Sequence, residues 1–166
     1  MGYWSQRSGL EYYQVVRRIL DGLGPLHSVL DVGSWDTPVV TWADANERIT
    51  VDTRSRPEFP GVQAVVGRWP DCASGLPVCD VVLCLQVLEH LDDPEPFCAA
   101  LFGHASRAVV LSVPWGWPAL AEPSHTQDPV DAAKLQRWTG RAPDQQSIVG
   151  RPPRAVAIYR LAANNC

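Results

Sequence analysis

This sequence is poor in the features that define several function classes. Lys134 is the only lysine, and no Lys/Arg-rich run occurs in the 166 residues. With a formal net charge of −4, the chain lacks the basic surface that neutralises phosphates, so sequence-independent nucleic-acid binding is not expected. No apolar run is long enough to span a bilayer, and the opening MGYWSQRSGLEYYQ lacks the apolar stretch of a signal peptide. The cysteines are Cys72, Cys79, Cys84, Cys98 and Cys166. No two of them form a C-x-x-C pair, so a zinc site is not expected; a metal role through His125-x-x-Asp128 is a remote alternative, and no metal site is assigned. A reduced, cytoplasmic compartment is the simplest reading.

What is present reads as one domain over residues 1–166, with an apolar fraction of 46% to fill its core. Residues 1–26 hold an N-terminal helix. Ser8-Gly-Leu-Glu11 fits a capping box before it, and Gly22 and Gly24-Pro25 end it. Strands are expected over Ser28–Val32, Arg48–Val51, Val62–Val66, Val81–Leu85 and Ala108–Val113, with a helix or irregular turn at Val39–Asn46 and a loop at Pro57, Pro60 and Gly61. Val81–Leu85 is apolar on both faces, as a central parallel strand is. Asp93-Pro94 and Asp128-Pro129 each look like the start of a helix. Residues 119–166 then carry a loop, that second helix and two strands, Ser147–Val149 and Ala155–Tyr159, close enough to form an antiparallel hairpin. The alternation implies an α/β domain: a doubly wound, mostly parallel sheet with one antiparallel strand added late.

Three strand ends carry polar or glycine residues: Asp31-Val-Gly33, Asp52, and the block Cys79–Leu91 with Glu89-His90 at its tail. Open α/β sheets bind ligands beyond the carboxyl ends of their strands. Glycine at position 33 allows close approach of a ligand to the backbone. A carboxylate at the end of the next strand suits both hydroxyls of a ribose.

Together these blocks resemble the class I S-adenosylmethionine-dependent methyltransferases, a Rossmann-like family. The matching stretches are Val29–Gly33, Ile49–Asp52, Cys79–Leu91 and Ala108–Pro114. The resemblance implies a seven-stranded sheet with an antiparallel last strand, S-adenosylmethionine as cofactor, and a cofactor-binding core over residues 27–118. It also implies roles for single residues. Asp31, Gly33 and the adjacent Ser34 would lie near the methionine part. Asp52 would hold the ribose, and Thr53 would flank the adenine. Arg68 and Trp69 would lie near the adenine edge, with Leu85 near the sulfonium. The chain departs from the family's glycine-rich first loop, which here reads Ser34-Trp35-Asp36-Thr37-Pro38. Trp35 either folds outward as a lid or narrows the pocket.

Transfer of a methyl group to oxygen or nitrogen needs alignment and, for a hydroxyl acceptor, a base near neutral pKa. His90 and His125 are the two base candidates. Trp115 and Trp117 either stack on substrate or pack under their loop. Of the N-terminal tyrosines, Tyr13 is expected to pack and Tyr12 to reach the site. His27 and His104 are expected at the surface, and Asp128 and Asp131 at the start of a helix. Few insertions are available to build a substrate cap. The expected acceptor is therefore a small or medium molecule, or a carrier-bound or peptidyl one. A catalytically silent module that binds a protein partner is the alternative, and a dehydrogenase is the distant third. Oligomeric state is not readable, and neither a nucleic-acid nor a membrane partner is expected.

Overall fold

Seven strands form one sheet in the order β3-β2-β1-β4-β5-β7-β6. The computed structural model describes residues 2–55 and 58–162, so Pro57 and Cys166 lie outside the described residues. The strands are β1 (Leu26–Val32), β2 (Ala45–Asp52), β3 (Gln63–Val66), β4 (Cys79–Leu85), β5 (Ala105–Pro114), β6 (Gln145–Val149) and β7 (Arg154–Arg160). The first five run parallel to one another, while β7 pairs antiparallel with both β5 and β6. The expected hairpin therefore enters the sheet through one antiparallel strand.

Central strands are apolar on both faces because both faces are covered. Leu30, Val82, Val109 and Leu111 pack on one side with α3 (Pro94–Gly103) and α4 (Ala132–Thr139). Val29, Val81, Leu83 and Val110 pack on the other with α2 (Glu11–Leu23). The buried side of α2, Tyr12, Tyr13, Val15, Val16 and Leu20, follows helical spacing. No helix among the described residues is long and apolar enough to cross a membrane.

The helical layers are thinner than a helix in every crossover would give. Only a 3-10 turn, Val39–Trp42, links β1 to β2, and another, Ala73–Gly75, lies between β3 and β4. Two helix starts also differ from expectation. The N-terminal segment is two helices, α1 (Tyr3–Arg7) and α2. Ser8 ends the first, and no side chain caps the second at Leu10. The capping box does not form: Ser8 is taken up as the end of α1, its amide donating to Trp4 O at 2.8 Å, while Asp36, far along the chain, accepts the Trp4 amide at 2.9 Å. Likewise α4 begins after Asp131, whose carboxylate accepts the Lys134 amide at 2.8 Å. Asp128 is occupied elsewhere, as described below.

The strand order reverses between β1 and β4. Val29, Leu30 and Asp31 sit opposite Val81, Val82 and Leu83. Neighbouring crossovers leave in opposite directions there, and a crevice opens beyond the strand ends.

Candidate functional site

That crevice holds two adjoining hollows of about 460 and 830 Å³ including their mouths. Gly33, Trp35 and Gln86 line both. The smaller hollow reaches Asp31, Tyr3, Tyr13 and His90; the larger reaches Asp52, Thr53, Arg68, Trp69 and Phe97. Ten positions were given cofactor or base roles from the sequence, and nine of them lie along this cleft. Asp31, Gly33, Ser34, Leu85 and His90 line the smaller hollow, and Asp52, Thr53, Arg68 and Trp69 the larger. His125 does not line the cleft itself. It stands behind His90, ring centroids 4.9 Å apart.

Gly33 has φ of +79°, and a Cβ there would collide with Val87 Cγ2. Both constraints admit only glycine. Its amide donates to Val51 O at 2.8 Å, so the turn stays tied to β2 as it enters the crevice. Asp52 is oriented from both sides. One carboxylate oxygen accepts the Trp35 amide at 2.9 Å and the other the Arg54 amide at 3.0 Å. Each oxygen keeps a lone pair for a ligand hydroxyl.

Trp35 turns outward and is 42% exposed. Its ring stacks on Tyr3 at 4.9 Å, with the Arg54 guanidinium 4.6 Å from the ring centroid. The non-glycine loop thus docks α1 across the mouth through Trp35 on Tyr3 and Asp36 on Trp4. Trp69 is buried against Phe97 and His104, and its indole donates to Phe97 O at 3.3 Å.

Several expectations about aromatic and histidine placement are corrected. Tyr12 and Tyr13 are both buried, and Tyr13 lines the cleft while Tyr12 does not. The helix turn between them points Tyr12 at Arg154 instead. His104 is partly buried, bound by the carbonyls of Ala100 and Ala73. His27 is exposed, as expected. Trp117 lies tilted 5.5 Å from the His125 ring and donates to Pro153 O at 2.7 Å, while Trp115 packs against the core.

Beyond β4, Gln86 adopts φ of +57° and is buried. Its amide group donates to Ser112 Oγ at 3.2 Å, and its carbonyl accepts from buried Arg154 at 3.1 Å. Neither Gln86 nor Arg154 carries a recognisable motif. The abrupt polar end of an apolar strand was the one available signal for Gln86.

The 3-10 turn Leu88–His90 then places Glu89 inside and His90 outside. Glu89 is 1% exposed, and burial pushes its carboxyl up to about 8. The loop between β5 and α4 is laced onto this turn. Thr126 N–H donates to Glu89 O at 2.8 Å, the Thr126 hydroxyl to Leu91 O at 3.0 Å, and Gln127 Nε2 to Leu91 O at 2.7 Å. The His90 ring nitrogen Nδ1 meets Ser124 O at 2.9 Å, and His125 Nδ1 meets Asp128 Oδ2 at 2.7 Å. Facing these oxygens, both Nδ1 atoms are donors, which leaves Nε2 as the uncommitted nitrogen of each ring. Asp128 is spent on His125, and so does not cap α4.

This is the fold of the class I S-adenosylmethionine-dependent methyltransferases. By sequence the chain matches no family model and no curated protein. Among solved structures it is similar to magnesium protoporphyrin IX methyltransferase (ChlM) of Synechocystis PCC 6803 with bound S-adenosylhomocysteine, at 15% identity and a TM-score of 0.63 over 91% of this chain and 84% of that one. It is similar to the N-methyltransferase NodS of Bradyrhizobium japonicum WM9 in complex with S-adenosylhomocysteine, at 10% identity and a TM-score of 0.66 over 90% and 85%. A methyltransferase of Aquifex aeolicus is similar at 13% identity, with a TM-score of 0.64 over 89% of each chain. At these identities the likeness speaks for the fold.

Proposed function

We propose that the protein transfers a methyl group from S-adenosylmethionine to an oxygen or nitrogen of a small, medium or carrier-bound acceptor, in a cytoplasmic setting. One observation carries this reading. Asp31 and Gly33, Asp52, and Leu85 with Gln86, at the carboxyl ends of β1, β2 and β4, line one continuous cleft at the topological switch point. The residues fit the cofactor. The Gly33 turn, tied to Val51 O and packed on Val87, brings bare backbone to the lining of both hollows. Asp52 is an oriented diol acceptor. Asp31 supplies a buried carboxylate for an amino group.

In this reading the larger hollow takes the nucleoside, with Asp52 on the ribose and Thr53, Arg68 and Trp69 around the adenine. The smaller hollow takes the methionine part, beside Asp31, Gly33, Ser34 and Leu85. The cofactor brings an activated methyl group, so the protein's tasks are alignment, exclusion of water and proton removal. Tyr3 and Trp35 cover the mouth. His90, the cleft-lining histidine, faces the acceptor, with His125 behind it, held by Asp128 in the tautomer that accepts a proton at Nε2.

Thermal unfolding with S-adenosylhomocysteine tests this reading. Ligand at about 100 times its Kd should add about 2.7 kcal/mol of stability. An unchanged melting temperature at millimolar ligand would leave the silent, partner-binding module as the better account.

A further inference from the structure

The acceptor end brings together groups that sequence spacing keeps apart. A donor atom from each of Glu89, His90 and His125 lies within 4.8 Å of the others. The Glu89 atom Oε2 is buried and has no hydrogen-bond partner among the described residues. Both imidazoles already donate through Nδ1, His125 to a carboxylate and His90 to a backbone carbonyl. Metal-ligating histidines are held in this way, with the ring nitrogen away from the ion fixed by a carboxylate or carbonyl. His125 and Asp128 are themselves well shielded, with side chains 7% and 1% exposed. His90 is exposed to the cleft and leaves an entry path.

We propose that Glu89, His90 and His125 bind a divalent first-row transition-metal cation, with Asp128 and the Ser124 carbonyl positioning the two rings. One carboxylate and two imidazoles are the donor set of open metal sites, in which protein ligands occupy three positions and water or substrate the rest. The described cysteines are not involved. Cys79, Cys84 and Cys98 are buried in the core, and Cys72 is partly buried. Ligands at about 2.0–2.2 Å from a common ion lie closer to each other than 4.8 Å. Small rotations of the Glu89 and histidine side chains therefore complete the site. The positions left open face the cleft beside His90. An acceptor hydroxyl on the ion would release its proton to water more readily, since a bound cation lowers the pKa of its oxygen ligand. This role as anchor of the acceptor rests on the methyl-transfer reading, whereas the site itself rests on geometry. When the ion is bound, the two Nε2 atoms ligate and do not act as bases.

The test uses the full chain stripped of metal by a chelator. Zn²⁺ is titrated by calorimetry, and Co²⁺ by its visible absorption. The wild type should bind one equivalent of each. The double variant His90→Ala, His125→Ala should lose stoichiometric binding, and Glu89→Gln, which keeps the buried shape, should weaken it. Asp128→Asn should lower affinity about 10–100-fold, as expected of a group that orients a ligand. Circular dichroism confirms that each variant is folded. No stoichiometric binding by the wild type, or equal binding by the folded double variant, overturns the site. S-adenosylhomocysteine is titrated into the same samples. Binding of that ligand without metal binding removes this inference alone. Metal binding without it keeps the metal site and removes the proposed function.

Discussion

The two ends of the cleft are built in different ways. The end at β1 and β2 is made of strand termini. Asp31, Gly33 and Asp52 stand where their strands stop, fixed by the sheet and by local amides. The end beyond β4 is made of a 3-10 turn and a long loop, joined by carbonyls of Glu89, Leu91 and Ser124. The first end can change little without disturbing the sheet. The second is held by a handful of hydrogen bonds on a surface loop, where function diversifies most readily. On the proposed function, the first would be a fixed cofactor end and the second an adaptable acceptor end.

Removing acceptor-end groups should give the largest effect and leave the cofactor end intact. His90→Ala or His125→Ala should lower turnover by about 10²–10⁴-fold once an acceptor is known, with S-adenosylhomocysteine affinity unchanged. The two can be separated by steady-state kinetics. Loss at His90 falls mainly on kcat, while loss at His125 also raises KM because the loop carrying it relaxes. Full activity in both variants would take both histidines off the catalytic list.

Next in size are changes that attack the fixed end. Gly33→Ala must hold alanine at φ of +79° and push it into Val87. Strain of this kind costs about 1–3 kcal/mol, and chemical denaturation should show it along with weakened ligand binding. Adding Val87→Ala should recover only the part due to collision. If Gly33→Ala alone is neutral in both measurements, the turn is not as constrained as its geometry states. Asp52→Ala should weaken cofactor binding by about 1.5–3 kcal/mol, the scale of hydrogen bonds to a charged group. It also frees the Trp35 and Arg54 amides, so the first loop should exchange amide hydrogens faster.

The smallest expected effect concerns the cover over the mouth. Trp35→Ala removes the stack on Tyr3, worth about 0.5–1.5 kcal/mol. It should release α1 without altering the sheet, seen as faster proteolysis near residues 3–7. Protection equal to wild type would mean that Asp36 and the packing of Trp4 on Tyr13 and Trp42 suffice to hold α1.

The same contrast explains what the sequence revealed. Asp31, Gly33 and Asp52 were legible because a strand end follows directly from where the apolar run stops. The strand set and the late hairpin were legible for the same reason. The acceptor end was not. Ser124 and His125 meet His90 only through tertiary folding, and Asp128 looked like a helix cap because Asp-Pro is a common helix start. Alternation of apolar runs does not show whether a crossover is helical, and the connections from β1 to β2 and from β3 to β4 carry only the 3-10 turns Val39–Trp42 and Ala73–Gly75. Tyr12 and Tyr13, adjacent on one helix, could be assigned to core or cleft only once the helix was docked.

The most direct measurement of this division is calorimetric titration of S-adenosylhomocysteine into the wild type, Asp52→Ala and His125→Ala. Stoichiometric binding to the wild type and to His125→Ala with equal affinity, and a loss of about 1.5–3 kcal/mol in Asp52→Ala, is the predicted pattern. Absence of binding to the wild type, or equal weakening in both variants, would contradict it.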